Sequence, residues 1–156
     1  MASRRRGRIL AFQALYAWDL GFGLTGDASI PDGLLDFSWV KETKPLDEDM
    51  AAFSRLLLTG TVENIGVVDD VLSKHLQNWE LSRLNNVDRA LLRMSVYTLV
   101  FQTDMPPSIV IDEAIEISKE FGTDDSYRFV NGVLDAVFGS IRKNLIPGTD
   151  KKTAAE

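Results

Sequence analysis

The chain contains no cysteine, one histidine and no apolar run of the length that a membrane-spanning helix needs. Without cysteine there is neither a disulfide framework nor a thiolate nucleophile, a composition that fits a reducing cytoplasm. With His75 as the lone histidine, no Ser-His-Asp or Cys-His arrangement and none of the usual zinc spacings can be assembled. No Walker-type phosphate loop and no strand alternation occur in the sequence. Positive charge is scarce too: 17 basic residues face 23 acidic ones, for a net charge of -6. A surface that attracts nucleic acid over its whole extent is therefore excluded. What remains is ordinary globular material, 45% apolar and 26% charged over 156 residues, enough for one domain with a sizeable core.

The scarce basic charge is unevenly placed. Arg4, Arg5, Arg6 and Arg8 stand together with no acid among them, and setting them aside leaves 13 basic residues against 23 acidic. Behind them Ile9, Phe12 and Tyr16 recur at helical spacing, so a helix from about Arg4 to Leu20 carries a cationic head on an apolar stalk. Packing the stalk fixes where the head points. Arg4 and Arg8, like Arg5 and Arg8, lie about one turn apart and can follow a phosphate backbone along one side of the helix. Arginine's planar fork can hold phosphate bidentately or stack on a base. The plainer reading is a solubilising tail, frayed up to about Arg6. An export signal fits less well, because Gln13 interrupts the apolar run and Tyr16, Trp18 and Asp19 occupy the place of small cleavage-site residues.

Gly21-Phe22-Gly23-Leu24-Thr25-Gly26 matches the letters of a dinucleotide fingerprint, but a helix rather than a strand precedes it, so it reads as a helix stop. A short helix is expected over Asp32–Phe37, then a loop through Lys44-Pro45. From Asp47 onward Met50, Phe53, Leu57, Thr61, Ile65, Val68, Leu72 and Leu76 recur at helical intervals, predicting one long helix bent near Gly60 or Gly66. Leu81–Leu84 suggests an extra turn. Asn86 is the expected N-cap of a helix apolar around much of its circumference, marked by Val87, Leu91, Met94, Thr98 and Phe101, and Pro106-Pro107 closes it. The next helix carries Val110, Ala114, Ile117 and Phe121 inward and Glu113, Glu116, Lys119 and Glu120 outward, with Gly122 as a left-handed C′ residue. Thr123 or Asp124 caps the last helix, whose stripe is Tyr127, Val130, Leu134, Val137 and Ile141. The chain is expected to be all-α, with about seven helices and no β-sheet. One domain over residues 1–146 is followed by a flexible tail over 147–156.

Binding equipment is better represented than catalytic equipment. Glu113, Glu116 and Glu120 share a helical face that could do acid–base work, though a solvated charged face explains them more simply. His75 lacks catalytic partners. Phe121 and Phe129 flank Gly122–Arg128 and could offer faces to unpaired bases. Core packing explains Phe121 by its periodicity and Phe129 less well, since Phe129 stands off the Tyr127/Val130 centreline.

Four ordered blocks carry a family resemblance. They are Arg4-Arg5-Arg6-Gly7-Arg8 ahead of Ala11-Phe12-Gln13-Ala14-Leu15-Tyr16; Asn85-Asn86-Val87-Asp88-Arg89-Ala90-Leu91-Leu92-Arg93; Ile111 through Lys119; and Phe121 through Asp135. In this order and spacing, from about Ser3 to Lys143, the chain resembles the NusB transcription antitermination family. The region from Gly21 to Lys44 matches no part of that pattern. The resemblance implies two packed helical bundles in a non-enzymatic protein with no cofactor and no metal. It implies binding of the boxA segment of ribosomal RNA leader transcripts together with the small-subunit ribosomal protein NusE, so that RNA polymerase transcribes past terminators. By position it implies RNA contacts at Arg4, Arg5, Arg6, Arg8, Arg93, Phe121, Asp125 and Phe129, and a contact with NusE at Asp88. An acid in an RNA site can accept from base amino groups and repel wrong sequences. Two other readings compete. One is a relative of the helical domain found fused to RNA cytosine methyltransferases, against which the missing cysteine nucleophile argues. The other is a protein-interaction module whose arginines grip an acidic partner. Monomer and homodimer both fit the sequence.

Overall fold

A computed structural model describes residues 2–23, 29–40 and 47–144. These residues form seven α-helices and no strand: α1 (Ala2–Trp18), α2 (Asp32–Leu35), α3 (Glu48–Glu63), α4 (Ile65–His75), α5 (Asn86–Phe101), α6 (Pro107–Phe121) and α7 (Ser126–Arg142). A π turn over Asp19–Gly23 continues α1, and a 3-10 turn over Leu81–Arg83 precedes α5. The expected tail over 147–156, the Lys44-Pro45 loop and Leu24-Thr25-Gly26 lie outside the described residues.

The hub is α5, buried along its length from Asp88 to Val100. Its sequence is apolar over most of its circumference, so it can be covered from several directions. On one side it packs with α1 and α3, and on the other with α4, α6 and α7, giving two bundles that share one helix. The stalk of α1 sinks Leu10, Ala11, Phe12, Ala14, Leu15 and Trp18 into this core. Near the head, α3 lays the Phe53 and Ser54 side chains directly on the backbone of α1 at Gly7. A Cβ on Gly7 would lie 2.8 Å from Phe53 Cδ2, and Ser54 Oγ donates to the Gly7 carbonyl at 2.8 Å. Glycine costs helix propensity, about 1 kcal/mol relative to alanine, and here the close crossing explains its presence.

Several local expectations are corrected. The long helix is two helices, broken at Asn64 (φ -111, ψ 24) rather than at either glycine. Asn64 Nδ2 donates to the Gly60 carbonyl at 2.8 Å, a side-chain bond that competes with the helical ladder. Asn85, not Asn86, caps α5: its Oδ1 accepts from Asp88 N at 2.8 Å. Gly122 is extended (φ -93, ψ -169), not left-handed. Its missing side chain serves a close approach instead, since a Cβ would meet Ser126 Oγ and the Ser118 carbonyl. Neither Thr123 nor Asp124 caps α7; the turn is closed by Ser126, whose Oγ accepts from Thr123 N at 3.0 Å. The short helix stops at Leu35, and Phe37 turns into the core with a positive φ of 55.

Buried charge joins these elements. Asp19, 3% exposed, accepts from Arg89 at 2.6 and 2.9 Å and from Arg93 at 3.0 Å. Arg93 reaches on to Asp69 with two bonds of 2.8 and 2.9 Å. Arg89 also donates to the carbonyls of Leu81 and Leu84, both at 3.2 Å. Two carboxylates thus balance two guanidiniums where the end of α1, α4, α5 and the 3-10 turn converge.

Candidate functional site

The cationic head is built into the fold. The helix runs through the arginines to Ala2, where the sequence suggested fraying to about Arg6. Two contacts account for this. Glu113, expected on the solvated face of α6, faces α1 and accepts from Arg5 Nε and Nη2 at 2.9 and 2.7 Å. On α3, the Phe53 ring lies under Arg4 and Arg8, whose Cζ atoms are 4.2 and 5.4 Å from its centroid, within cation–π range.

A cavity of about 530 Å³ opens between Arg4, Arg5, Arg6, Arg8, Ile109 and Glu113. Arg5 keeps half of its side chain in solvent while Glu113 keeps 16%. Arg8 is nearly enclosed, with Nη1 3.8 Å from Glu113 Oε1. The hydrogen bonds from Arg5 hold the Glu113 carboxyl below its usual range and raise the Arg5 guanidinium in return. Burial lowers the Arg8 guanidinium, which still stays charged at neutral pH. Arg5 spends one edge of its fork on Glu113, and its remaining N–H groups can meet an anion. The arrangement holds guanidiniums side by side around one open space, as a phosphate site requires.

A second cavity, of about 330 Å³, gathers Asp88, Asp125, Phe129 and Trp79. Asp88 is only 6% exposed. Its Oδ2 accepts from Asn85 Nδ2 at 3.0 Å, and its Oδ1 is buried with no hydrogen-bond partner. Asp125 is exposed just ahead of α7. The half-buried Phe129 ring meets Trp79 nearly edge-on, centroids 6.3 Å apart at 67°.

The residues singled out in the sequence therefore separate. Arg4, Arg5, Arg6 and Arg8 share the first cavity, and Asp88, Asp125 and Phe129 share the second. Phe121 lies at the seam of α6 and α1, its ring 5.4 Å from that of Phe12 and half-buried, so packing accounts for much of it. Arg93 is 7% exposed and bonded to Asp69 and Asp19, apart from both cavities. His75 ties α4 to α7, with Nδ1 2.7 Å from the Val71 carbonyl and Nε2 2.7 Å from Ser140 Oγ. Among the described residues no helix is long and apolar enough to cross a membrane, and no group of three metal-ligating side chains assembles.

Sequence reasoning gave no role to Trp79, Asp19 and Asp69 and read Glu113 as part of a solvated face. Glu113 sits at a helical position that periodicity assigns to solvent, and no motif singles out Trp79. Nothing in the local pattern pairs Asp19 or Asp69 with arginines 70 and 24 positions away.

Fold and site together define an all-α protein with a cationic cleft at the head of its first helix. Residues 5–138 match the model of the NusB family. The "Transcription antitermination protein NusB" of Treponema denticola is 54% identical over 134 residues, 86% of this chain and 94% of that protein. The fold is similar to that of T. maritima NusB, with a TM-score of 0.75 and 36% identity over 92% of this chain and 93% of that one. It is also similar to a chain in the crystal structure of antitermination factors NusB and NusE in complex with dsRNA, with a TM-score of 0.73 and 27% identity over 90% of this chain and 98% of that one. The chain belongs to the NusB family.

Proposed function

We propose that this protein is a non-enzymatic, cytoplasmic RNA-binding factor of transcription antitermination, acting as a single domain over residues 1–146. It binds a boxA-type single strand of ribosomal RNA leader transcripts together with the ribosomal protein NusE, and reaches the elongating RNA polymerase through that complex. The observation that carries this reading is the cleft in which Glu113 and Phe53 hold Arg4, Arg5 and Arg8 around an open, cationic space. Four arginines in an otherwise acidic chain concentrate attraction at one place, so a phosphate backbone is drawn to α1 and repelled elsewhere. Arg6 completes the phosphate grip. Asp125 and Phe129 read bases, with Phe121 at the edge of the same surface. Arg93 contributes from inside by fixing α5 beneath them. NusE meets the chain at the Asp88 end of α5, beside the second cavity. A family relative crystallised with NusE and duplex RNA supports the pairing of these partners.

The test is a titration of boxA-type RNA over a series of salt concentrations, with and without NusE, using wild type and Arg4, Arg5, Arg6 and Arg8 changed to alanine singly and together. Each lost phosphate contact lowers the salt slope by about 0.7 on a single strand. A slope that stays the same in the fourfold variant removes the arginine head from the mechanism. Binding to NusE with no RNA affinity in either condition leaves a protein-interaction module.

A further inference from the structure

The arginine cavity is lined by more than cations. Ile109, in the first turn of α6, is 48% exposed and lines that cavity together with Ile9. An apolar side chain adds nothing to a phosphate grip, since it neither donates to an oxyanion nor balances its charge. Glu113, one turn further on, opposes such a grip, because a carboxylate repels phosphate at close range. The cavity, of about 530 Å³, lies inside the ~300–1,000 Å³ range of small-ligand sites. It also continues a longer feature. Helices α1 and α6 run side by side in one direction, with Arg5 against Glu113 and, further along, Phe12 against Phe121. Ile109 and Phe121 thus stand about 18 Å apart along α6, at two ends of one seam.

Resting on the RNA-binding reading above, we propose that this cavity is a base-selective nucleotide pocket and not a phosphate grip alone. One unstacked base packs on Ile109 and Ile9, and Glu113 accepts from an exocyclic amino group on its edge. The arginines hold the phosphates that flank it. Glu113 is within reach of such a base, because its side chain keeps 16% of its surface and lines the cavity. The two bonds from Arg5 occupy one lone pair on each oxygen, and a carboxylate offers about four. Cytosine and adenine present an exocyclic amino donor, and uracil presents none. A protein side chain could also cover Ile109. It would bring no anion to the arginines around it, whereas a nucleotide carries the apolar face and the negative charge on one molecule.

Ile109→Ala separates this pocket from phosphate binding, and because the residue is half exposed the variant keeps its fold. The full chain with NusE is titrated with boxA-type single strands over a series of salt concentrations. Ile109→Ala should bind the intact strand about 3- to 10-fold more weakly, for the packing that alanine gives up. Its salt slope should equal that of wild type, because no phosphate contact is lost. Ile109→Leu should restore the affinity. Strands carrying one abasic nucleotide, which keeps its sugar and phosphate, locate the base. At one position, and only there, wild type and Ile109→Ala should bind alike. Cytosine or adenine at that position should bind about 5- to 150-fold tighter than uracil, a preference that Glu113→Ala abolishes. A loss of the same size on every abasic strand, or on duplex RNA whose bases are stacked away, means that Ile109 touches no base and overturns the proposal. Wild-type affinity in Ile109→Ala, while the arginine variants still flatten the salt slope, also overturns it and leaves the RNA-binding reading standing. A wild-type chain that binds no RNA overturns both.

Discussion

At the head of α1, Arg5 shares one carboxylate with Arg8 and keeps half of its side chain in solvent. At the centre of the molecule, Arg93 is enclosed between Asp69 and Asp19, with Arg89 on the far side of the same Asp19. Both regions place guanidiniums against acids at similar distances. They differ in the ratio of charges and in access to water. In the interior two acids meet two arginines whose side chains are 8 and 9% exposed, and the result is architecture. At the head Glu113 meets Arg5 and Arg8 together, N–H groups of Arg5 remain, and they face an open cavity. Identical chemistry therefore binds or braces according to what is left over.

The interior half of this comparison is the easier to break. Asp19→Ala removes the one carboxylate that serves both Arg89 and Arg93, leaving the buried Arg89 guanidinium without a counter-charge and Arg93 with Asp69 alone. Removing one partner of a buried pair costs about 3–5 kcal/mol. Chemical denaturation should show a loss of that size, and a loss below about 1 kcal/mol would mean that water reaches the network and that its arginines are not braces.

A matched pair of substitutions sharpens the contrast. Arg93→Met keeps an unbranched apolar stem but leaves Asp69 without its donor, at a cost of about 1–3 kcal/mol in stability. Measured on folded protein, its RNA salt slope should equal that of wild type. Arg5→Met should do the reverse, lowering the slope by about 0.7 and leaving stability within about 0.5 kcal/mol. If Arg93→Met flattens the slope as much as Arg5→Met does, Arg93 leaves its acids to meet RNA and the two regions are not distinct.

Much of this was legible in the sequence, and the illegible part has a pattern. The helices are amphipathic with a period near 3.6, so their order follows from Ile9, Phe12 and Tyr16, or from Val110, Ala114 and Ile117, without tertiary information. The arginine head stood out because composition isolates it. Partners between distant helices did not stand out. Glu113 lies on the stripe that periodicity gives to solvent, and only the packing of α6 beside α1 turns it onto Arg5, 108 residues away. Arg93 shows the opposite gap. Position within a family block marks a residue but does not say whether its side chain faces in or out, and Asp69 and Asp19 turn it in. Asn64 illustrates a smaller gap, where a side-chain amide bonding back to the Gly60 carbonyl ended a helix that hydrophobic spacing alone would continue.

The smallest expected effect tests whether Glu113 belongs with the surface or with the interior. Its carboxyl is held below the ordinary carboxylate value of about 4.3, first by the hydrogen bonds from Arg5. A depressed carboxyl contributes stability that is complete above the ordinary value and is lost as pH falls through the lower, folded one. Glu113→Gln removes that contribution at every pH. The melting temperatures of the two proteins should therefore differ most near neutrality and converge as pH drops below about 4. All other carboxylates are common to both chains and cancel in the difference. Because Arg5 is half in solvent, the gap should also shrink with added salt, as it does for exposed pairs and not for enclosed ones. A gap insensitive to salt would place Glu113 with Asp19 as an enclosed brace, and a gap insensitive to pH would leave the cleft without the electrostatic hold that keeps Arg5 turned toward it.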